Sequence, residues 1–182
     1  YDDSRIIYKL ENSFVGGINK FLDTGVNLYS KTASERKFTI LVKVKSNSSG
    51  SSETIFSARN TSNYGMVVNN SGTGTDEYHM FHMGQNQYEA LYKTDTNEYT
   101  TLIFTLNEDM YNMYSGSTSQ KRTITSAVDG SDIANVIIGA DYWSNDTGEG
   151  FGSFFTGEVK EFVIYNEVLS DDEISELFTK YN

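Results

Sequence analysis

Short apolar runs divided by clusters of Ser, Gly, Asn and Thr set the pattern of this chain. Arg5–Leu10, Val26–Tyr29, Phe38–Lys45, Glu53–Arg59, Gly65–Asn69, Tyr78–Met83, Tyr88–Lys93, Thr100–Leu106, Met110–Tyr114, Gln120–Thr125, Val136–Ile138 and Glu158–Tyr165 are rich in β-branched and aromatic residues and read as short strands. They follow one another closely, with no helical segments between them. A parallel α/β sheet needs such crossovers, so the pattern predicts an all-β, antiparallel sandwich. The clearest strand is FTILVKVKS, with Ile40, Val42 and Val44 on one face and Thr39, Leu41, Lys43 and Lys45 on the other, which predicts a single core-facing side. The polar segments 46–53, 69–77 and 141–153 read as exposed turns. Neither an internal repeat nor a shift of composition divides the chain, so residues 1–182 are expected to form a single domain.

The period changes only at the end. Ile174, Leu177, Phe178 and Tyr181 fall on one face of a helix predicted over Asp171–Lys180. Ser170 is placed as its N-cap, Glu173 completes a capping box, and Leu169 is placed to staple onto Ile174. This helix is expected to close the end of the sandwich. Asp171 and Asp172 sit where the helix macrodipole favours negative charge, which accounts for them without a catalytic carboxylate pair.

Composition narrows the function. With 14 Lys and Arg against 25 Asp and Glu the net charge is −11, which repels phosphate backbones and anionic membranes. Nucleic acid is therefore not an expected partner. Zero cysteines remove disulfides, thiolate catalysis and cysteine-ligated metals together. The absence of proline has no function we can attach to it. No apolar run approaches the roughly 20 residues of a membrane-spanning helix, so membrane insertion is not expected. The opening YDDSRIIY has neither an initiator Met nor a signal-peptide pattern, and reads as a processed product or an excised domain.

Candidate chemistry is sparse. A glycoside hydrolase needs two carboxylates about 5–10 Å apart, and the strand Glu158, Lys160, Phe162 does not supply them at alternate positions. Nucleophile elbows, P-loops and zinc-protease motifs are missing too. No catalytic residue is expected. His79 and His82 form an H-x-x-H, but their odd spacing on a strand sends them to opposite faces, which argues against a shared metal. In the segment 141–153, Asp141, Asp146 and Glu149 add oxygen donors among glycines, the chemistry calcium takes, although without EF-hand spacing. A solvated acidic loop is the competing reading. The same segment holds the sole tryptophan, Trp143, beside Tyr142, Asn145 and Asp146. Trp143 is either a loop anchor in the core or an exposed platform on which a sugar's C–H face stacks while Asn145 and Asp146 bond its hydroxyls. Tyr64, Tyr88 and Tyr92 are placed to extend such a surface. Sequons at Asn47, Asn60, Asn69 and Asn145 are what this much Asn, Ser and Thr produces by chance.

The closing segment FGSFFTGEVKEFVIYNEVLSDDEISEL, through Phe155, Gly157, Val159, Phe162, Ile164, Tyr165, Asn166, Leu169 and Ser170, resembles the last strand and helix of laminin-G-like, concanavalin-A-type jelly rolls. For both Val159 and Phe162 to face the core, this strand needs a β-bulge near Lys160 and Glu161. FTILVKVKS, ETIFSARN, NYGMVVNNSG and NVIIGA are similar to earlier strands of the same group, so the resemblance runs from Phe38 to Asn182. Within the group, the chain most resembles the carbohydrate-binding modules attached to bacterial sialidases. The resemblance implies an antiparallel jelly-roll sandwich with a short C-terminal helix, no catalysis, calcium as a possible ligand, and a glycan or cell-wall polysaccharide as partner. It implies an extracellular, cell-surface or virion-surface module of a larger secreted enzyme, adhesin, or phage tail or baseplate protein. A protein-binding laminin-G-type module is the second class, and a glycosidase the third. Those sialic-acid binders carry basic residues after the Ile-Gly-Ala turn; here Asp141, Tyr142 and Trp143 follow Ile138, Gly139 and Ala140, which argues against an acidic sugar.

Overall fold

A computed structural model describes residues 3–28, 35–47, 53–58, 66–73, 76–83, 87–92, 98–108, 110–125, 135–145 and 148–181. Its strands are β1 (Ile6–Lys9), β2 (Phe14–Val15), β3 (Leu22–Asn27), β4 (Lys37–Ser46), β5 (Glu53–Ala58), β6 (Met66–Thr73), β7 (Asp76–Met83) and β8 (Gln87–Tyr92). They continue with β9 (Thr100–Asn107), β10 (Met110–Ser115), β11 (Ser117–Thr125), β12 (Asn135–Ile138), β13 (Asp141–Asn145), β14 (Gly148–Gly152) and β15 (Gly157–Tyr165), and helix α1 (Asp171–Tyr181) closes the chain. For β6, β7, β8, β11 and most of the β13–β14 pair, the description is of the backbone.

The expected antiparallel sandwich is present. One sheet runs β1-β15-β4-β9-β10-β11 with β2 also on β15, the other runs β3-β12-β5-β6-β7-β8, and β13 and β14 form a separate two-stranded ribbon. Between the two sheets Phe56 of β5 packs edge-on against Phe104 and Phe162 of the facing sheet, with ring centroids 5.3 Å apart in each case. Ile40, Val42, Val44, Leu102, Val136 and Ile138 fill the same layer. The expected bulge is in place: Val159 pairs with Val44 but Glu161 pairs with Lys43, so Lys160 is the extra residue and both Val159 and Phe162 are fully buried.

Several expectations need correction. Segment 69–77 is largely ladder, because β6 runs to Thr73 and pairs residue for residue with β7 from Asp76. Segment 141–153, read as a loop, is the β13–β14 hairpin. Asn, Ser and Gly have low strand propensity in both, but neighbouring backbone supplies the hydrogen bonds whatever the side chains. Strand β2 and the first half of β3 were not anticipated, being two residues long and Asp/Thr/Gly-rich respectively.

Nor does β4 have one core face. Leu41 is fully buried on its other side, with Ile103, Val163 and Tyr165, beneath Ile174, Leu177 and Phe178 of the helix. The helix thus lies on the outer face of the seven-stranded sheet instead of plugging an end. Thr39 shows how a polar residue fits this second core: its buried hydroxyl donates to the Glu167 carbonyl at 2.8 Å and accepts from the Leu169 amide at 3.0 Å.

Side chains bond to both ends of α1. The Glu173 amide donates to Ser170 Oγ at 3.3 Å and the Ser170 amide donates to Glu173 Oε2 at 2.9 Å, the reciprocal capping box expected. At the other end Lys43 Nζ and Thr101 Oγ1 donate to the Tyr181 carbonyl. Arg5, leading into β1, bridges Glu167 and Glu173, reaching the latter at 2.7 Å, and so ties the first strand to the helix start.

Removing the cap with Ser170→Ala should lower unfolding free energy by about 1 kcal/mol in denaturant titration. The hydrogen bond from Arg5, then that from the Ser170 amide, holds the Glu173 carboxyl below its ordinary value of 4.5. A depressed folded pKa means that the unfolded chain binds the proton more readily. This stabilisation is therefore complete above pH 4.5 and is lost as pH falls through the folded value. Thermal midpoints measured from pH 7 to 3 should accordingly fall less steeply in Glu173→Gln than in the parent chain.

Candidate functional site

The outer face of the seven-stranded sheet is partly closed by the helix, whereas the β13–β14 hairpin is rooted beside the other sheet. Gly139 turns the chain out of β12. Its φ is +84° and an added Cβ would lie 2.4 Å from the Phe14 ring, so only glycine fits. The Gly139 amide donates to the Ile55 carbonyl at 2.8 Å, and the Phe155 amide donates to the Gly139 carbonyl at 3.0 Å, closing the root from both sides. Ser57 Oγ, buried, donates to the Ala140 carbonyl at 2.9 Å.

Two acids are buried at this root. Glu53 is 7% exposed and accepts from the Thr156 amide at 2.9 Å and from Thr156 Oγ1 at 2.6 Å, and the Thr54 amide donates to the Ser153 carbonyl at 2.7 Å. Asp141, the first residue of β13, is 6% exposed. A buried carboxylate survives only when its oxygens find donors, and charge-assisted bonds of this length are the strong ones. On its far side the hairpin is held by Phe151, which stacks on Phe21 with centroids 3.9 Å apart and planes 20° from parallel.

Register then sorts the expected site residues. Asp141, Trp143 and Asn145 pair with Gly152, Gly150 and Gly148, while Tyr142 pairs with Phe151 and Ser144 with Glu149. Alternation places positions 142 and 143 on opposite faces of the ribbon. A side chain added at Gly150, across from Trp143, would meet no atom of the described residues within 4 Å. Across the six-stranded sheet one row runs Asp23, Ile137, Ser57, Val67, His82, Tyr88. Tyr88 therefore lies three strands from Ser57, about 14 Å away at the usual strand spacing. Tyr92 pairs with Tyr78 in a parallel row. Tyr64 and Asp146 lie outside the described residues.

For calcium, the register does not bring Asp141 and Glu149 together: they belong to rows three apart, about 10 Å along the ribbon, and to opposite faces. Among the described residues no group of three or more His, Asp or Glu gathers. The pairing of β7 is unbroken through His79 and His82, consistent with their separation.

The bulge has one consequence that strand alternation does not reveal. Glu158 pairs with Lys45 and Glu161 with Lys43, so both acids share the outer face of the seven-stranded sheet. Glu158 accepts from Tyr99 Oη at 2.7 Å, and Lys45 and Lys160 lie over the Tyr99 ring at 5.1 and 5.2 Å. The Tyr99 hydrogen bond, with help from Ser13 and the two lysines, holds the Glu158 carboxyl below the usual range. It is ionised at neutral pH, the reverse of what a general acid for glycoside cleavage needs.

Comparison with known proteins agrees with this fold. The profile of the concanavalin A-like lectin/glucanases superfamily, in its laminin-G form, matches residues 20–175, and the chain belongs to that superfamily. No curated protein sequence matches. Among solved structures, the chain is similar to the K499G mutant of the NanB sialidase from Streptococcus pneumoniae (TM-score 0.67, 17% identity), covering 94% of this chain but 28% of that one. It is similar to the CBM40 domain of the Ruminococcus gnavus IT-sialidase bound to α2,3-sialyllactose (0.65, 15% identity, 95% and 98% covered). A third is domain 4 of AbnA, a GH43 extracellular arabinanase from Geobacillus stearothermophilus, in complex with arabinotriose (0.59, 19% identity, 82% and 68% covered). The chain thus spans little more than a quarter of the sialidases it matches.

Since Gly139 roots the hairpin, Gly139→Ala should cost about 2 kcal/mol or more from left-handed strain and the clash with Phe14, read as a lowered thermal midpoint. Gly150→Ala, in open space, should leave the midpoint unchanged.

Proposed function

We propose that residues 1–182 form a single non-catalytic carbohydrate-binding domain, whose ligand lies at the β13–β14 hairpin and the adjoining outer face of the six-stranded sheet. The observation that carries this reading is the hairpin itself. It is a ribbon rooted through Gly139, Glu53 and Thr156, and its first strand carries Tyr142, Trp143 and Asn145. A rigid root with a variable rim is how sandwich folds mount binding residues. Tyr142, Trp143, Asn145 and Asp146 are assigned to the ligand, with Tyr64, Tyr88 and Tyr92 as an extension.

Solved neighbours were determined with sialyllactose and with arabinotriose, which supports a glycan as the ligand class. The acid after the Ile-Gly-Ala turn and the net charge of −11 favour a neutral sugar over sialic acid. The domain is assigned to a larger secreted or surface protein that it delivers to a glycan; bacterial enzymes, adhesins and phage tail or baseplate proteins all fit. No helix among the described residues is long and apolar enough to cross a membrane.

A glycan array should show binding to neutral oligosaccharides without turnover. Trp143→Ala should abolish binding while leaving the thermal midpoint nearly unchanged. Loss of about 3–5 kcal/mol of stability would make Trp143 a core anchor and move the site elsewhere. Hydrolysis abolished by Glu158→Gln or Glu161→Gln would make the domain an enzyme, and binding to polypeptides alone would make it an adhesion module.

A further inference from the structure

Phe21 stands apart from the other aromatic residues of the sandwich. Phe56, Phe104, Phe155 and Phe162 are at most 2% exposed, whereas Phe21 is 40% exposed. It is nevertheless fixed in place. Phe151 covers one ring face in a near-parallel stack at 3.9 Å, which leaves the opposite face and the ring edge as the parts open to solvent. Leu22 and Val26 turn inward against the core, and exposure alternates from Phe21 through Asp23 to Gly25, so Phe21 and Asp23 lie on the outer side of β3. Two positions along a strand span about 6.6 Å, close to the width of one sugar ring.

Asp23 is oriented as well as exposed. Its Oδ1 accepts from the Gly25 amide at 2.8 Å and its Oδ2 from Asn135 Nδ2 at 3.2 Å. Each carboxylate oxygen keeps a further lone pair, and the side chain is held without being buried. A flat apolar face beside a fixed acceptor and an amide is the combination that binds a ring with a C–H face and hydroxyl edges. An anionic ring would meet the Asp23 carboxylate.

We propose that Phe21, Asp23 and Asn135 form a further sugar subsite, on the β3 side of the hairpin, which stacks a neutral sugar ring on the open face of Phe21 and takes two of its hydroxyls on Asp23 and Asn135. The subsite rests on the glycan-binding reading above and deepens it, naming neutral sugars as its class. Through Phe151, which pairs with Tyr142, it adjoins the ribbon. In the sheet, Asp23 begins the row that ends at Tyr88, five strands and about 24 Å away at the usual strand spacing.

The test measures binding of the 182-residue chain to an array of neutral and sialylated oligosaccharides that includes arabinotriose and 3′-sialyllactose, with thermal midpoints for each variant. We expect a neutral oligosaccharide to bind, Phe21→Ala and Asp23→Ala each to weaken it by about tenfold or more, and Phe21→Trp to keep it. Phe21→Leu separates stacking from bracing: it preserves apolar bulk under Phe151, so it should keep the midpoint and still lose affinity. Full affinity in Phe21→Leu would reduce Phe21 to a brace and overturn the subsite. Affinity within twofold of the parent in both alanine variants would also overturn it while leaving glycan binding intact. Binding confined to sialylated glycans would overturn the assigned sugar class alone, and binding to no glycan would overturn the subsite together with the reading beneath it.

Discussion

The seven-stranded sheet is apolar on both sides, and the rest of the molecule is arranged around that constraint. Leu41, Ile103 and Val163 occupy the strand positions between the inward-facing Ile40, Val42, Phe104 and Phe162. Two apolar faces cannot both meet water, so one is covered by the opposing sheet and the other by α1. Burying one leucine-sized side chain contributes roughly 1.5–3 kcal/mol, so several under an 11-residue helix outweigh its own marginal stability. Capping by Ser170 and Glu173 and the clasp of Arg5 fix where that helix begins.

Covering one side in this way leaves the outer face of the six-stranded sheet as the one the helix does not reach, and the hairpin is rooted beside it. Ile137, between the inward-facing Val136 and Ile138, is still only 5% exposed, and it pairs with Ser57, whose hydroxyl reaches the Ala140 carbonyl at the hairpin root. The root replaces apolar contact with fixed polar geometry: Glu53 on Thr156, Ser57 on Ala140. Such bonds are directional, so they set the ribbon's angle as packing alone does not.

Much of this was legible in the residues. The bulge follows from Val159 and Phe162 both having to face inward, the helix from its period and capping box, and the jelly roll from the closing motif. What stayed hidden has physical causes. Alternation on β4 reports which side chains share a face, but Leu41 under a helix and Leu41 under water are written identically, and Lys43 and Lys45 made water the simpler reading. The hairpin hid because GEGFG resembles a turn when its partner strand is not in view. Phe21 sits between Lys20 and Leu22 in a stretch with no clear alternation; its meaning comes from Phe151, far along the chain, and no local pattern encodes that contact.

The bonds that anchor the hairpin come almost wholly from residues flanking it: Ile55, Ser57, Gly139, Ser153, Phe155 and Thr156. Within the segment they enclose, Phe151 and the buried Asp141 are described side chains that also hold the frame. Those bonds run largely through backbone groups, so they do not depend on which side chains fill the two strands. A frame of this kind separates where a segment is held from what it is made of, and sandwiches that share the frame can differ in the ribbon while staying superimposable.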